Sequence, residues 1–150
     1  MKTKLPTSLT CSALLITLLP LMAADALTPQ QPVELTGTHG KFDFIKIDST
    51  HNRLLACHTG NGSLDVIDTT TSKLIKSIPT GAAQGVAIDN KGGRYFVSVS
   101  KPPKMVVIDS AKLEVIAEAP FSDPTDVMAY NPDLDRAFVC NDLDESTIAL

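Results

Sequence analysis

The side chains of this sequence that could do chemistry are few, and each must be judged by where the chain would place it. His39, His51 and His58 could bind a transition metal through a neutral imidazole. Asp48, Asp68, Asp89 and Asp109 could supply a general acid and a general base, provided that two of them form a distinct pair. Ser98-Val-Ser-Lys101 has the Ser-x-x-Lys spacing of penicillin-binding enzymes, in which the serine opens a helix. Asn61-Gly-Ser63 is a glycosylation sequon, and Cys57 and Cys140 could be bridged in an oxidising compartment.

What must position these residues is a repeat. A unit of 41 residues runs from Gly40 to Thr80, again from Gly81 to Phe121, and in part from about Asp123 to Leu150. Asp43-Phe-Ile-Lys-Ile-Asp48 falls over Gln84-Gly-Val-Ala-Ile-Asp89 and over Thr125-Asp-Val-Met-Ala-Tyr130. Arg53-Leu-Leu-Ala-Cys-His58 falls over Arg94-Tyr-Phe-Val-Ser-Val99 and, after one inserted residue, over Arg136-Ala-Phe-Val-Cys-Asn141. Val66-Ile-Asp68 meets Val107-Ile-Asp109, and Pro79 meets Pro120. Four strand-length runs in a period of about 40 to 45 residues are the signature of a β-propeller blade. The predicted fold class is therefore all-β, with blades of four antiparallel strands: an outer strand over 32–39 without inner strands before it, a blade over 40–80, a second over 81–121 and an incomplete third over 122–150.

Within each unit both strand parities are apolar, as in Leu54-Leu55-Ala56-Cys57 and Met105-Val106-Val107-Ile108, so the strands are expected to be buried on both faces. Stacked blades provide that burial. Ala111–Ala119 has good helix formers, but its counterpart Leu74–Ile78 is β-branched and stops at Pro79, so the repeat predicts an outer strand.

The repeat also removes much of the chemistry. The aspartates recur at turn positions, which suits capping better than acid–base catalysis. Ser98 to Lys101 straddles a strand and the Pro102-Pro103 loop, and Asn61-Gly-Ser63 reads as a turn. Cys57 and Cys140 lie at equivalent positions two blades apart, nearly 20 Å if sheets stack about 10 Å apart, whereas bridged Cα atoms lie within about 7 Å. Both are expected to be free, buried, small apolar residues. Neither stands in a Cys-x-x-Cys-His context or in a zinc spacing, so no haem, metal or other cofactor is indicated.

The first 26 residues read as a cleaved secretory signal: Lys2 and Lys4, the apolar run Cys11–Met22, and Ala24-Asp25-Ala26 as a small-x-small cleavage site. The apolar run is shorter than the roughly 18 to 20 residues of a bilayer span and contains Pro20, so no membrane span is expected after cleavage. Cleavage removes two lysines and one aspartate, taking the formal charge from −4 to about −5. A periplasmic or secreted location follows. With 13 basic residues scattered among 17 acidic ones, no basic stripe of the kind nucleic acid needs is present.

Arg-Tyr-Phe-Val-Ser at 94–98 and Arg-Ala-Phe-Val-Cys-Asn at 136–141 are close to the Tyr-Val-Thr-Asn core of the YVTN repeats, and Val-Ile-Asp recurs at 66–68 and 107–109. The chain resembles a YVTN-repeat β-propeller protein of the YncE-like group over about Pro32 to Leu150. The first unit departs from the motif with Leu55-Ala56-Cys57-His58, so the motif marks a strand and not a site. The resemblance implies a seven-bladed propeller, periplasmic or secreted, in a group whose members mostly lack an assigned reaction.

Propeller topology puts the connections carrying His39 and His58 on one rim, and His51 on the other. The counterparts of His39 and His58 are Thr80 and Val99, then Ser122 and Asn141, so no ligand set repeats and no third metal ligand is identified. The candidate ligand-binding rim is His39, Lys41, His58, Asn61, Lys101, Asn141 and Asp142; no catalytic residue and no metal ligand is assigned. The expected function is an exported, non-enzymatic binding or scaffold protein of the cell envelope, taking an unidentified protein or small ligand at that rim. The alternative is a propeller enzyme or electron-transfer module, quinoprotein-, copper-enzyme- or lactonase-like, with its site in further blades. An open end blade would expose more than about 300 Å² of sheet face, so further blades or another chain are expected to cover the ends, as for a fragment or truncated product.

Overall fold

The computed structural model describes residues 29, 31–35, 40–141 and 147–149. The chain divides into Met1–Pro32 and Val33–Leu150, and the elements below belong to the second unit. The expected secretory signal, residues 1–26, lies outside the described residues.

Strands form where the apolar runs were found and stop where a short polar side chain can cap the turn. The first sheet is β1 (Ile45–Asp48), β2 (Arg53–His58), β3 (Ser63–Asp68) and β4 (Leu74–Pro79) in sequential antiparallel order. The second repeats it with β5 (Ala83–Asp89), β6 (Arg94–Ser100), β7 (Pro103–Asp109) and β8 (Glu114–Pro120). The third has β9 (Thr125–Asn131), β10 (Arg136–Asn141) and β11 (Thr147–Ala149) in order β11-β10-β9. Glu114–Pro120 is a strand, so pairing with β7 overrides the helix propensity of that segment. Residues 31–35 carry no ladder, and 36–39 lie outside the described residues.

The hairpin turns show the repeat most sharply. After β1, Asp48 Oδ1 accepts the backbone N–H groups of Thr50 and His51 at 3.0 and 3.3 Å. After β5, Asp89 Oδ1 accepts that of Gly92 at 2.8 Å, and after β9, Asn131 Oδ1 accepts those of Asp133 and Leu134 at 2.9 and 3.2 Å. Each turn then closes through a residue in the left-handed region, Asn52 (φ 52°), Gly93 (φ 67°) and Asp135 (φ 49°), the types that tolerate it best.

These equivalences correct the third unit. Asp48 to Asp89 is 41 residues, but Asp89 to Asn131 is 42. Thr125 pairs with Asn141 as Ala83 pairs with Val99, so Thr125 lies over Ala83, not over Gln84. The inserted residue therefore precedes β9 instead of falling in the turn after it. Composition concealed this, because Val127 over Val86 matches by type while the side chains face opposite ways.

Packing follows the faces. Leu55, Cys57, Leu64, Val66 and Ile78 of the first sheet meet Val86, Tyr95, Val97, Val99, Val106 and Ile108 of the second. Ala87, Phe96, Met105 and Val107 on the other face of the second sheet meet Met128, Ala137 and Val139 of the third. The three inner strands of the second sheet, β5 to β7, are thus buried on both faces, which is why both parities of these strands are apolar, whereas the outer strand β8 is exposed. Close approach decides one glycine: a Cβ at Gly85 would stand 2.8 Å from the Asp126 carbonyl oxygen and 2.9 Å from Ser98 Oγ. Cys57 is buried as expected, but Cys140 is exposed. Its strand faces away from the second sheet at that position, where no sheet covers it among the described residues.

Candidate functional site

The expected rim is the one formed by the β2–β3 and β6–β7 hairpins. In the first of these, Asn61 and Gly62 donate backbone N–H bonds to the His58 and Thr59 carbonyls at 3.1 and 3.3 Å, closing a four-residue loop. Thr59 Oγ1 donates to the Ala83 carbonyl at 2.6 Å, tying this loop to the next blade. Gly60 lies against Gly40 and Lys41, with room for no side chain.

His58, at the end of β2, is fully buried. Its Nδ1 lies 2.8 Å from Asp65 Oδ2, and the Phe42 ring stacks on it with centroids 3.9 Å apart. Asp65, also fully buried, accepts on its other oxygen the hydroxyl protons of Ser63 at 2.8 Å and Ser77 at 2.6 Å. Asn61 Nδ2 in turn donates to Ser63 Oγ at 3.2 Å. An ionised carboxylate offers only acceptors, so Nδ1 is the protonated imidazole nitrogen in this pair. Both serine hydroxyls are directed at the carboxylate and not at the imidazole, which is the opposite of a serine nucleophile held by a histidine base.

Sequence reasoning chose His58 and Asn61 but missed Asp65, Ser63, Ser77 and Phe42. The signal was present in the repeat. The counterparts of Ser63, Asp65 and Ser77 are Lys104, Val106 and Glu118, so a carboxylate replaces a buried valine in mid-strand. In the second blade Lys104 Nζ and Glu118 Oε1 form a partly exposed ion pair at 2.8 Å instead.

The other candidates do not converge. Lys41 is exposed and ion-pairs with Asp43 at 3.2 Å, while Lys101 is exposed in the β6–β7 loop and joined to Pro102 by a cis peptide bond. Asn141 is buried and donates to Asp123 at 3.4 Å. His39 and Asp142 lie outside the described residues. Among the described residues no group of three or more His, Cys, Asp or Glu side chains could hold a metal ion.

The opposite rim carries the stronger electrostatics. Tyr95 OH of the second blade donates to Asp48 Oδ2 of the first and accepts from Arg53 Nη1 at 3.2 Å. His51 Nδ1 adds a contact to Asp48 at 2.8 Å. Burial pulls the Asp48 carboxyl upward, but the bonds from Tyr95 and His51 outweigh it and hold the group below its ordinary value. Burial, followed by the Asp48 bond, pushes the Tyr95 phenol up to about 12. The next seam is latched differently: Arg94 donates from Nε and Nη2 to Asp89 Oδ2 at 2.8 and 2.6 Å and from Nη2 to Asp135 of the third blade at 2.8 Å. Tyr130 OH also donates to Asp135, and these groups line a cavity of about 260 Å³. Their hydrogen-bonding groups face one another, so this rim joins blades.

No protein-family model matches the chain, and no curated protein matches it in sequence. Solved structures do. The chain is similar to Kuenenia stuttgartiensis hydrazine synthase, with a TM-score of 0.60 and 20% identity over 73% of this chain and 33% of that one. It is also similar to the β-propeller domain of Myceliophteria thermophila Cps50 (Swd1), with a TM-score of 0.52 and 9% identity over 71% of this chain and 37% of that one. The chain thus spans about a third of the length of each. Three stacked antiparallel sheets of this repeat, with these neighbours, make the chain an all-β protein built of β-propeller blades.

Proposed function

We propose that the chain is an exported, non-enzymatic binding or scaffold protein of the cell envelope, of the YVTN-repeat, YncE-like kind, which offers the rim around His58 and Asn61 to a ligand. The observation that carries this reading is the state of the His58–Asp65 cluster. Its carboxylate is engaged by one imidazole and two hydroxyls, and Phe42 lies over the imidazole. Such a group stiffens a rim without activating a nucleophile. Lys41, Asn61 and Lys101 stand exposed on the same side and can make polar contacts with a partner. Export rests on Lys2, Lys4, the run Cys11–Met22 and Ala24–Ala26.

One finding favours a second reading, in which the blades belong to an enzyme or electron-transfer module: a structural neighbour bears the name of a synthase. At 20% identity that likeness concerns the fold. Metal analysis and an absorption spectrum of the purified exported protein separate the two. The binding reading expects neither stoichiometric metal nor a cofactor band, and either one overturns it. Amino-terminal sequencing of the exported protein should begin at Leu27; an intact leader in a cytoplasmic fraction would overturn the assignment to the envelope.

A further inference from the structure

We propose that Asn61 is a site of spontaneous covalent modification, converting through a cyclic imide to aspartate and isoaspartate, and that this conversion loosens the His58–Asp65 cluster. The chain has five asparagines, and their following residues are Arg53, Gly62, Lys91, Pro132 and Asp142. Only Asn61 precedes glycine, whose missing side chain leaves the backbone nitrogen unhindered in attacking the Asn61 side-chain Cγ and the local backbone free to turn. Asn61 is exposed at the tip of the β2–β3 loop, while the Gly62 carbonyl that follows it accepts from the Thr80 and Gly81 N–H groups at 3.1 Å. The Gly62 N–H is held by a bond to Thr59 of 3.3 Å, longer than the 3.1 Å bond that holds Asn61.

The step is balanced by solvent alone. The Gly62 backbone N–H gives its proton to water or hydroxide, and the nitrogen lone pair forms a bond to Asn61 Cγ. The Cγ–Nδ2 bond breaks and Nδ2 leaves as ammonia, taking up a proton. Water then adds across one C–N bond of the five-membered imide. Opening on one side restores the main chain with aspartate at 61, and opening on the other routes the chain through the side chain as isoaspartate. No oxidant or cofactor takes part.

The consequence follows from donors and acceptors. Asn61 Nδ2 donates to Ser63 Oγ, and the single proton of Ser63 is given to Asp65. A carboxylate at 61 has nothing to donate. It would face the Ser63 lone pairs, with the Asp65 charge directly beyond, so the loop must move away from β3 or rob Asp65 of a donor.

The test uses the full chain, aged in warm, mildly alkaline buffer and mapped by peptide mass spectrometry. The mass gain of an NH2-to-OH exchange, with isoaspartate present, should accumulate at Asn61 several-fold faster than at Asn52, Asn90 and Asn141. Equal or slower conversion at Asn61 overturns the site. Asn61→Gln should leave position 61 unconverted under the same conditions; conversion there at the native rate would overturn the route. Asn61→Asp should speed hydrogen exchange of the β2–β3 loop amides several-fold, and unchanged exchange would overturn the coupling to the buried cluster.

Discussion

Cys57 and Cys140 occupy equivalent strand positions, yet burial gives them different reactivities. Desolvation, helped by the Asp43 charge, pushes the Cys57 thiol up to about 12, whereas Cys140 is exposed. Thiolate is the reacting form, so an alkylating reagent at mildly alkaline pH should label Cys140 in the native protein and Cys57 only after denaturation. Peptide mapping reads both sites, and prompt native labelling of Cys57 would contradict the packing. Tyr95 offers a second residue-scale expectation. Tyr95→Phe keeps the ring but leaves the buried Asp48 one donor short, which should cost about 1–2 kcal/mol in urea unfolding. The same variant should raise the Asp48 pKa toward its ordinary value, visible in an NMR titration of the carboxyl. Neither the Tyr95–Asp48 bond nor the Asp65 cluster was legible from single residues. Each joins side chains that only the stacking or pairing of strands brings together, although the comparison of Asp65 with its counterpart Val106 carries an unread signal for the second.

At the scale of elements, the sequence carried strand order, turn positions and the override of a helical segment, because a period of 41 residues constrains all of them at once. It failed at one join. The extra residue before β9 could be placed only by seeing which side chains face the second sheet, and side-chain direction alternates with every residue along a strand. The corrected register puts Val127 over Gly85, and the two positions now make opposite demands. Gly85 is pressed against the Asp126 carbonyl, while Val127 is 43% exposed. Gly85→Ala should therefore destabilise the protein by about 1–3 kcal/mol, because the contact is with backbone that cannot swing aside. Val127→Ala should change stability by less than about 0.5 kcal/mol. Equal effects of the two substitutions in chemical denaturation would return the register to the uncorrected one.

For the whole molecule, the turn carboxyls set the response to acid. Burial pulls Asp89 upward, but bonds from Gly92 and Arg94 prevail and its pKa is lowered; Asp68 and Asp109 are lowered chiefly by backbone bonds from Thr71 and Lys112. With Asp48 also lowered, the native state binds fewer protons than the unfolded chain in the window below the ordinary aspartate value of 3.8. Their contribution is thus fully present above that value and disappears as pH falls through the depressed native values. Unfolding midpoints should drop steeply there and stay level between about pH 5 and 7 with respect to these groups. A midpoint that rises on acidification would contradict the turn geometry.

The two outer sheet faces make the remaining demand on the molecule. On the first sheet Ile45 and Ile47 are 57% and 58% exposed, although their counterparts Val86 and Ile88 face the blade before them. On the third sheet Val127 is exposed and Phe138 half-buried, where the counterparts Gly85 and Phe96 face the blade after them. Both faces thus use positions that the middle of the stack buries. Ile47→Lys with Val127→Lys should leave the unfolding free energy of the chain within about 0.5 kcal/mol of the parent, since both side chains already meet solvent. The pair should at the same time sharply reduce binding of a hydrophobic dye, because it interrupts an apolar patch on each outer sheet. Loss of stability without loss of dye binding would mean that these side chains are covered in solution, and the exposed faces of the first and third sheets would have to be redrawn.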